Sequence, residues 1–151
     1  MDIGSNGQYP CNALSNFATH TFTIDNVECR SMEGFLQSLK FENPDMQVEV
    51  CKLFGVTAKR KGAHKNWKDS QTLHWQGVSY KRDSDEYKAL LTRAYTALVE
   101  QSASFRSAIK AAQNAVFSHS IGKNKKTETV LTEREFCQML NMAREIVNKI
   151  S

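Results

Sequence analysis

The chain has 151 residues, a formal net charge of +4, 24% charged and 40% hydrophobic residues, the profile of a single soluble globular domain spanning 1–151. No run nears the ~18 apolar residues of a membrane span, and the start, MDIGSNGQYPCNALSNF, lacks the basic-then-apolar order of a signal peptide, so a cytoplasmic protein without membrane partners is expected. Cys11, Cys29, Cys51 and Cys137 stand far apart with no CxxC pair or Cys/His cluster, which argues against zinc and for reduced thiols.

Residues 21–30, TFTIDNVECR, alternate apolar and polar around Asp25-Asn26, which predicts a tight hairpin. Residues 31–42 predict a helix capped by Ser31, with Met32, Phe35, Leu36 and Leu39 at helical spacing. Asn43-Pro44 opens a second helix carrying Met46, Val50, Leu53 and Phe54, with Gly55 as its stop. Thr57–Gly62 offers one further helical turn, and 63–82 reads as irregular, although it holds Trp67 and Trp75.

Asp83-Ser84-Asp85-Glu86 marks a helix start, its acids suited to the positive end of the helix dipole. That helix continues through Tyr87, Leu90, Leu91, Ala94, Tyr95, Leu98 and Val99, and 103–112 gives another. Thr132 followed by Glu135 is a capping box opening the last helix, whose core face is Phe136, Met139, Leu140, Ala143, Ile146, Val147 and Ile150. The fold class is therefore mainly α with a small β-hairpin or sheet, an α+β domain.

Glu33, Gln37 and Lys40 fall in one row on the first helix, at steps of four and three. A solvated face beside a core face looks the same. The surroundings point elsewhere. Leu14-Ser15-Asn16-Phe17, the hairpin, and then S-x-E-x-x-x-Q-x-x-K-F from Ser31 to Phe41 occur in order within about 30 residues. This set resembles the N-terminal half of the NADAR superfamily, the YbiA-like family. Ala58 and Gly62 before Trp67, the Tyr87–Val99 helix, Phe105-Arg106 and the 116–120 segment fit the rest of the family pattern. One departure is visible. Many relatives have a D-x-x-WG-x-G element before the last helix, and residues 120–131 here contain neither Trp nor Asp.

The resemblance implies a YbiA-like fold and hydrolysis of an N-glycosidic bond at a ribose C1. Its substrate class is a riboflavin-pathway ribosylamino phosphate or ADP-ribose attached to guanine, a small phosphorylated substrate that is either free or attached to nucleic acid. A carboxylate near C1 can stabilise an oxocarbenium-like sugar and activate water. Glu33 fits that catalytic role, with Lys40 holding a phosphate or balancing its charge. Gln37 can orient water or a ribose hydroxyl, and Asn16 can meet base or ribose. Either tryptophan can stack on a base, Trp67 in preference, while core filling is the competing role.

Lys59-Arg60-Lys61-Gly62 and Gly122-Lys123-Asn124-Lys125-Lys126 are the phosphate candidates, with Arg60 and Lys123 as the substrate-binding residues. His119 can transfer a proton or make a structural hydrogen bond. Glu133 and Glu135 belong to the cap. This chemistry needs no metal and no cofactor. Two other readings fit the sequence, a non-catalytic ADP-ribose or nucleotide-binding module and a basic nucleic-acid binder. The second lacks a lysine-lined helix face, a helix-turn-helix or a zinc finger.

Overall fold

The computed structural model describes residues 1–150. A short helix α1 (Cys11–Leu14) leads into β1 (Thr19–Ile24) and β2 (Val27–Ser31), an antiparallel hairpin. Asp25 and Asn26 both take positive φ, 49° and 65°, the tight turn that matches strand twist. Side chains alternate inward and outward along both strands, so Phe22, Ile24, Val27 and Cys29 enter the core.

Helix α2 (Met32–Ser38) starts as expected. Ser31 Oγ accepts from Gly34 N at 3.0 Å and donates to the Leu53 carbonyl at 2.9 Å. It is shorter than the sequence suggests. Beyond Ser38 the backbone tightens into three-residue turns, with Lys40 N donating to Gln37 O and Phe41 N to Ser38 O. Lys40 thus lies past the helix rather than on it.

Helix α3 (Pro44–Cys51) is capped by Asn43 Oδ1, which accepts from Asp45 N and Met46 N. Gly55 does not end this helix. It opens α4 (Gly55–Gly62) at φ +57°, which leaves Leu53 and Phe54 in the connection.

The expectation of irregular structure over 63–82 is also corrected. Strands β3 (Thr72–Trp75) and β4 (Val78–Lys81) form a second hairpin around Gln76 (φ 46°) and Gly77 (φ 89°). Trp75 from this hairpin donates its indole N–H to Asp25 Oδ2 at 2.8 Å and packs edge-on against Phe35, which locks the two hairpins together. Buried Gln47 ties the second hairpin to α3, donating to the Phe41 and His74 carbonyls and accepting from Gln76 N.

Helices α5 (Asp85–Gln101), α6 (Ala103–Ala112) and α7 (Glu133–Ile150) pack against one another, and α5 also covers β1. Ser84 and Ser102 cap α5 and α6. Thr132 and Glu135 form the reciprocal cap of α7, with Thr132 N donating to Glu135 Oε1 and Glu135 N to Thr132 Oγ1. Ile150, expected in the core face, is 63% exposed because α7 runs past the body of the protein there. Residues 116–120 join the N-terminus through one parallel bridge, Asp2 to Ser118. One contiguous apolar core runs through these elements, and among the described residues no helix is long and apolar enough to cross a membrane.

Candidate active site

Between α2, α4 and the 119–131 segment lies an open cavity of about 410 Å³. Such a volume suits a small-molecule ligand. Glu33, Gln37 and Lys40 all line it. The row therefore faces a cavity rather than bulk water.

Glu33 is anchored at both backbone and side chain. Its N–H donates to the Asn16 carbonyl at 3.0 Å, and its Oε2 accepts from Gln37 Nε2 at 3.2 Å. Asn16 is fixed in turn by Tyr95, whose buried hydroxyl donates to Asn16 Oδ1 at 2.7 Å. That bond commits the amide oxygen and leaves the Asn16 NH₂ for a ligand. Burial pushes the Glu33 carboxyl above its ordinary range. The Gln37 hydrogen bond and the charges of Lys40, Lys59 and His119 offset this only in part. Burial likewise lowers the Lys40 ammonium, opposed by Glu33 and reinforced by Lys68, Lys123 and Lys59. Burial thus works against the charged form of each group, and an anion bound beside Lys40 would favour its ammonium form.

His119 also lines the cavity. Its Nδ1 lies 2.7 Å from the Ile3 carbonyl, which can only accept, so Nδ1 carries a proton and Nε2 is left for a ligand. Phe136 packs edge-on beneath the ring, and a Cβ on Gly122 would strike His119 Cδ2 at 2.6 Å. Trp67 forms part of the wall but is only 4% exposed, so it mainly fills core. Trp75 is core alone.

Lys123 lines the cavity, whereas Arg60 does not. Helix α4 turns Ala58 and Gly62 inward, sends Lys59 to the rim, and leaves Arg60 on the exposed face. Lys65, Lys68 and Glu128 also line the site and carry no periodic signal in the sequence. The charged lining is thus five lysines, the carboxylates Glu33 and Glu128, and His119.

Gly62 has a role beyond the phosphate loop expected of it. Gln37 is 6% exposed, and its Oε1 is the buried side-chain polar atom without a partner among the described residues. A Cβ added to Gly62 would collide with that oxygen and come within 2.9 Å of Cδ. The glycine therefore makes room for the amide beside Glu33. Gly62→Ala should displace Gln37, costing about 1–3 kcal/mol of stability by overpacking. Denaturant unfolding checks this, with Gly4→Ala as a control at an uncrowded glycine.

A family model described as bacteriophage protein GP30.3 matches residues 8–145. The chain belongs to that family. An uncharacterized 17.1 kDa protein from the Gp30-rIII intergenic region of Enterobacteria phage T4 is 38% identical over 147 residues, covering 96% of this chain and 97% of that protein. Among solved structures, the NMR structure of the E. coli protein YbiA superposes with a TM-score of 0.65 at 17% identity, covering 100% of this chain and 87% of YbiA. This GP30.3-family chain therefore has the YbiA-like α+β fold expected from its motifs.

Proposed function

We propose that the protein is an N-glycosidase of NADAR type. Its substrate in this reading is a phosphorylated ribosyl or ADP-ribosyl group joined to a base, taken up in the cytoplasm. The observation that carries the reading is a half-buried carboxylate, Glu33, hydrogen-bonded to Gln37 inside a cavity whose charged lining is mostly lysine. A cationic lining attracts phosphate but cannot stabilise a positive sugar. Glu33 can.

In this mechanism the bond from ribose C1 to the base nitrogen breaks and a water oxygen bonds C1. Glu33 takes the proton of that water, its raised affinity for protons suiting a base at neutral pH. Gln37 holds the carboxylate. His119, its Nδ1–H fixed on the Ile3 carbonyl, can take a proton from solvent at Nε2 and pass it to the leaving base nitrogen, and Lys40, Lys59 and Lys123 neutralise phosphate. The YbiA-like fold supports the reading, since it is the architecture implied by the NADAR motifs.

The absence of the D-x-x-WG-x-G element favours one rival, a module that binds ADP-ribose without turnover. Chromatography of ADP-ribosylated guanosine and of a riboflavin-pathway ribosylamino phosphate, each incubated with the protein, separates the two. The enzyme reading expects free base and free sugar phosphate from one of them. Binding of ADP-ribose with no base released from either would leave the module.

A further inference from the structure

The segment that carries His119 has little structure of its own. Between the end of α6 at Ala112 and the start of α7 at Glu133 it forms one isolated bridge and the short turn Lys126–Glu128. A side chain on such a segment has no helix or sheet to aim it. Yet His119 is the histidine of the cavity lining, and its Nδ1 is committed to one partner. The aim comes from residues 1–3.

These residues pair with the segment. Ile3 N donates to the Ser118 carbonyl at 2.8 Å, and Ser118 N donates to the Met1 carbonyl at 2.9 Å. Ile3 is 1% exposed, so its side chain anchors the pairing in the core. Its carbonyl then meets His119 Nδ1 at 2.7 Å, across 116 positions of sequence.

Asp2 supplies the second half of the grip. Its Oδ1 accepts from Ser120 N at 2.8 Å and from Ser118 Oγ at 3.3 Å, and its Oδ2 accepts from Ser120 Oγ at 2.5 Å. Bonds to an ionised carboxylate are the stronger kind. With Ser118 and Ser120 both pinned to Asp2, the residue between them turns its ring to the Ile3 carbonyl. Other contacts remove the remaining freedom. His119 N donates to Glu133 Oε1 at 3.2 Å, and the His119 carbonyl accepts from Gly122 N at 2.9 Å. The Phe136 ring packs edge-on, its centroid 5.0 Å from that of His119.

We infer that Asp2 is a positioning residue for the proposed hydrolysis. It stands outside the cavity lining and acts through His119. By pinning Ser118 and Ser120 it keeps the Ile3 carbonyl against Nδ1–H, so the ring holds the tautomer that leaves Nε2 free to carry a proton to the leaving base. The catalytic consequence rests on the reading of the cavity as a glycosidase site, whereas the tautomer does not.

Imidazole nitrogen shifts read the tautomer directly, in long-range proton–nitrogen NMR spectra of nitrogen-15-labelled protein at about pH 8.5, well above the ordinary histidine value. His119→Gln assigns the signal among the four histidines. The wild type should carry the His119 proton on Nδ1. Asp2→Ala should move the signal toward a mixture in which Nε2 also carries it. Asp2→Asn should restore the wild-type pattern, because its Oδ1 still accepts from Ser120 N while its amide donates to Ser120 Oγ. On the substrate from which base is released, Asp2→Ala should lower kcat about tenfold with KM within about twofold, and Asp2→Asn should recover it. Asp2 is exposed, so circular dichroism should not change.

A proton on Nε2 in the neutral wild type, an unshifted signal in Asp2→Ala, a rise in KM without a fall in kcat, or failure of Asp2→Asn to restore the signal would each overturn the inference. If the wild type releases no base from either substrate, the glycosidase reading falls, and the His119 signal of Asp2→Ala alone decides whether Asp2 sets the ring.

Discussion

Glu33→Gln should abolish base release, lowering kcat by about 10³-fold, while ADP-ribose still binds. The substitution keeps the shape of the side chain and an oxygen for Gln37 Nε2, so the cavity wall survives. What disappears is the negative charge that meets the developing sugar cation and the base that takes a proton from water. Glutamine can do neither. Loss of binding together with turnover would mean that Glu33 positions the ligand, and an unchanged kcat would remove it from the mechanism.

The same variant makes a second prediction of opposite benefit. Burial raises the folded-state proton affinity of Glu33, so its ionised form is disfavoured by the fold. The stability this site contributes is full below the unfolded carboxyl value and is lost as pH rises through the higher folded value. Glutamine stays neutral throughout. The variant should therefore melt above the wild type at pH 7, and the gap should close as pH falls into the acid range. Thermal scans across that range check the sign. A variant that melts lower at neutral pH would mean that attraction from Lys40 and Lys59 outweighs burial. The acid limb of the wild-type rate profile should likewise lie above the ordinary glutamate range, because activity requires the ionised form.

Much of this was legible because it is local. Asp25-Asn26 names its own turn, and Ser31, Asn43, Ser84 and Thr132 name the helix starts that they cap. The Glu33, Gln37 and Lys40 row could be read off its spacing, but its surroundings could not. Periodicity assigns Gln37 to a polar face, and it is buried because Gly62, on a separate helix, closes over it. Lys65, Lys68 and Glu128 reach the cavity from connecting segments, where no repeat marks a direction. Arg60 was misplaced for a related reason. Within a run of three cations, only the helix's contact with α2 decides that Lys59 faces the cavity. The second hairpin was hidden by brevity, β3 alternating over only four residues and β4 lying largely exposed after Gln76-Gly77.

Arg82 makes the largest stability prediction. It is 2% exposed and grips Glu135 with both terminal nitrogens, at 2.6 and 3.2 Å. Its Nε donates to the Thr129 carbonyl at 2.8 Å, while Tyr87 beneath it donates to the Val130 carbonyl at 2.7 Å. Thr129 and Val130 are cavity wall, so this buried cluster fixes the wall to α5 and to the cap of α7. Burial works to raise the Glu135 carboxyl, but the hydrogen bonds from Arg82 and Thr132 outweigh it and hold it below its ordinary value. Arg82→Met leaves that carboxylate half-enclosed and unpaired, and should cost about 3 kcal/mol, a fall of about 10 °C in Tm. The sign with pH follows. A depressed carboxyl contributes stability above its unfolded value and loses it as pH falls through the folded one, so the penalty should shrink in acid. Arg82→Met combined with Glu135→Gln, which removes the stranded charge and keeps an acceptor for Thr132 N, should recover most of the loss. If the double variant melts no higher than the single one, the defect lies in the freed Thr129 carbonyl rather than in the orphaned charge.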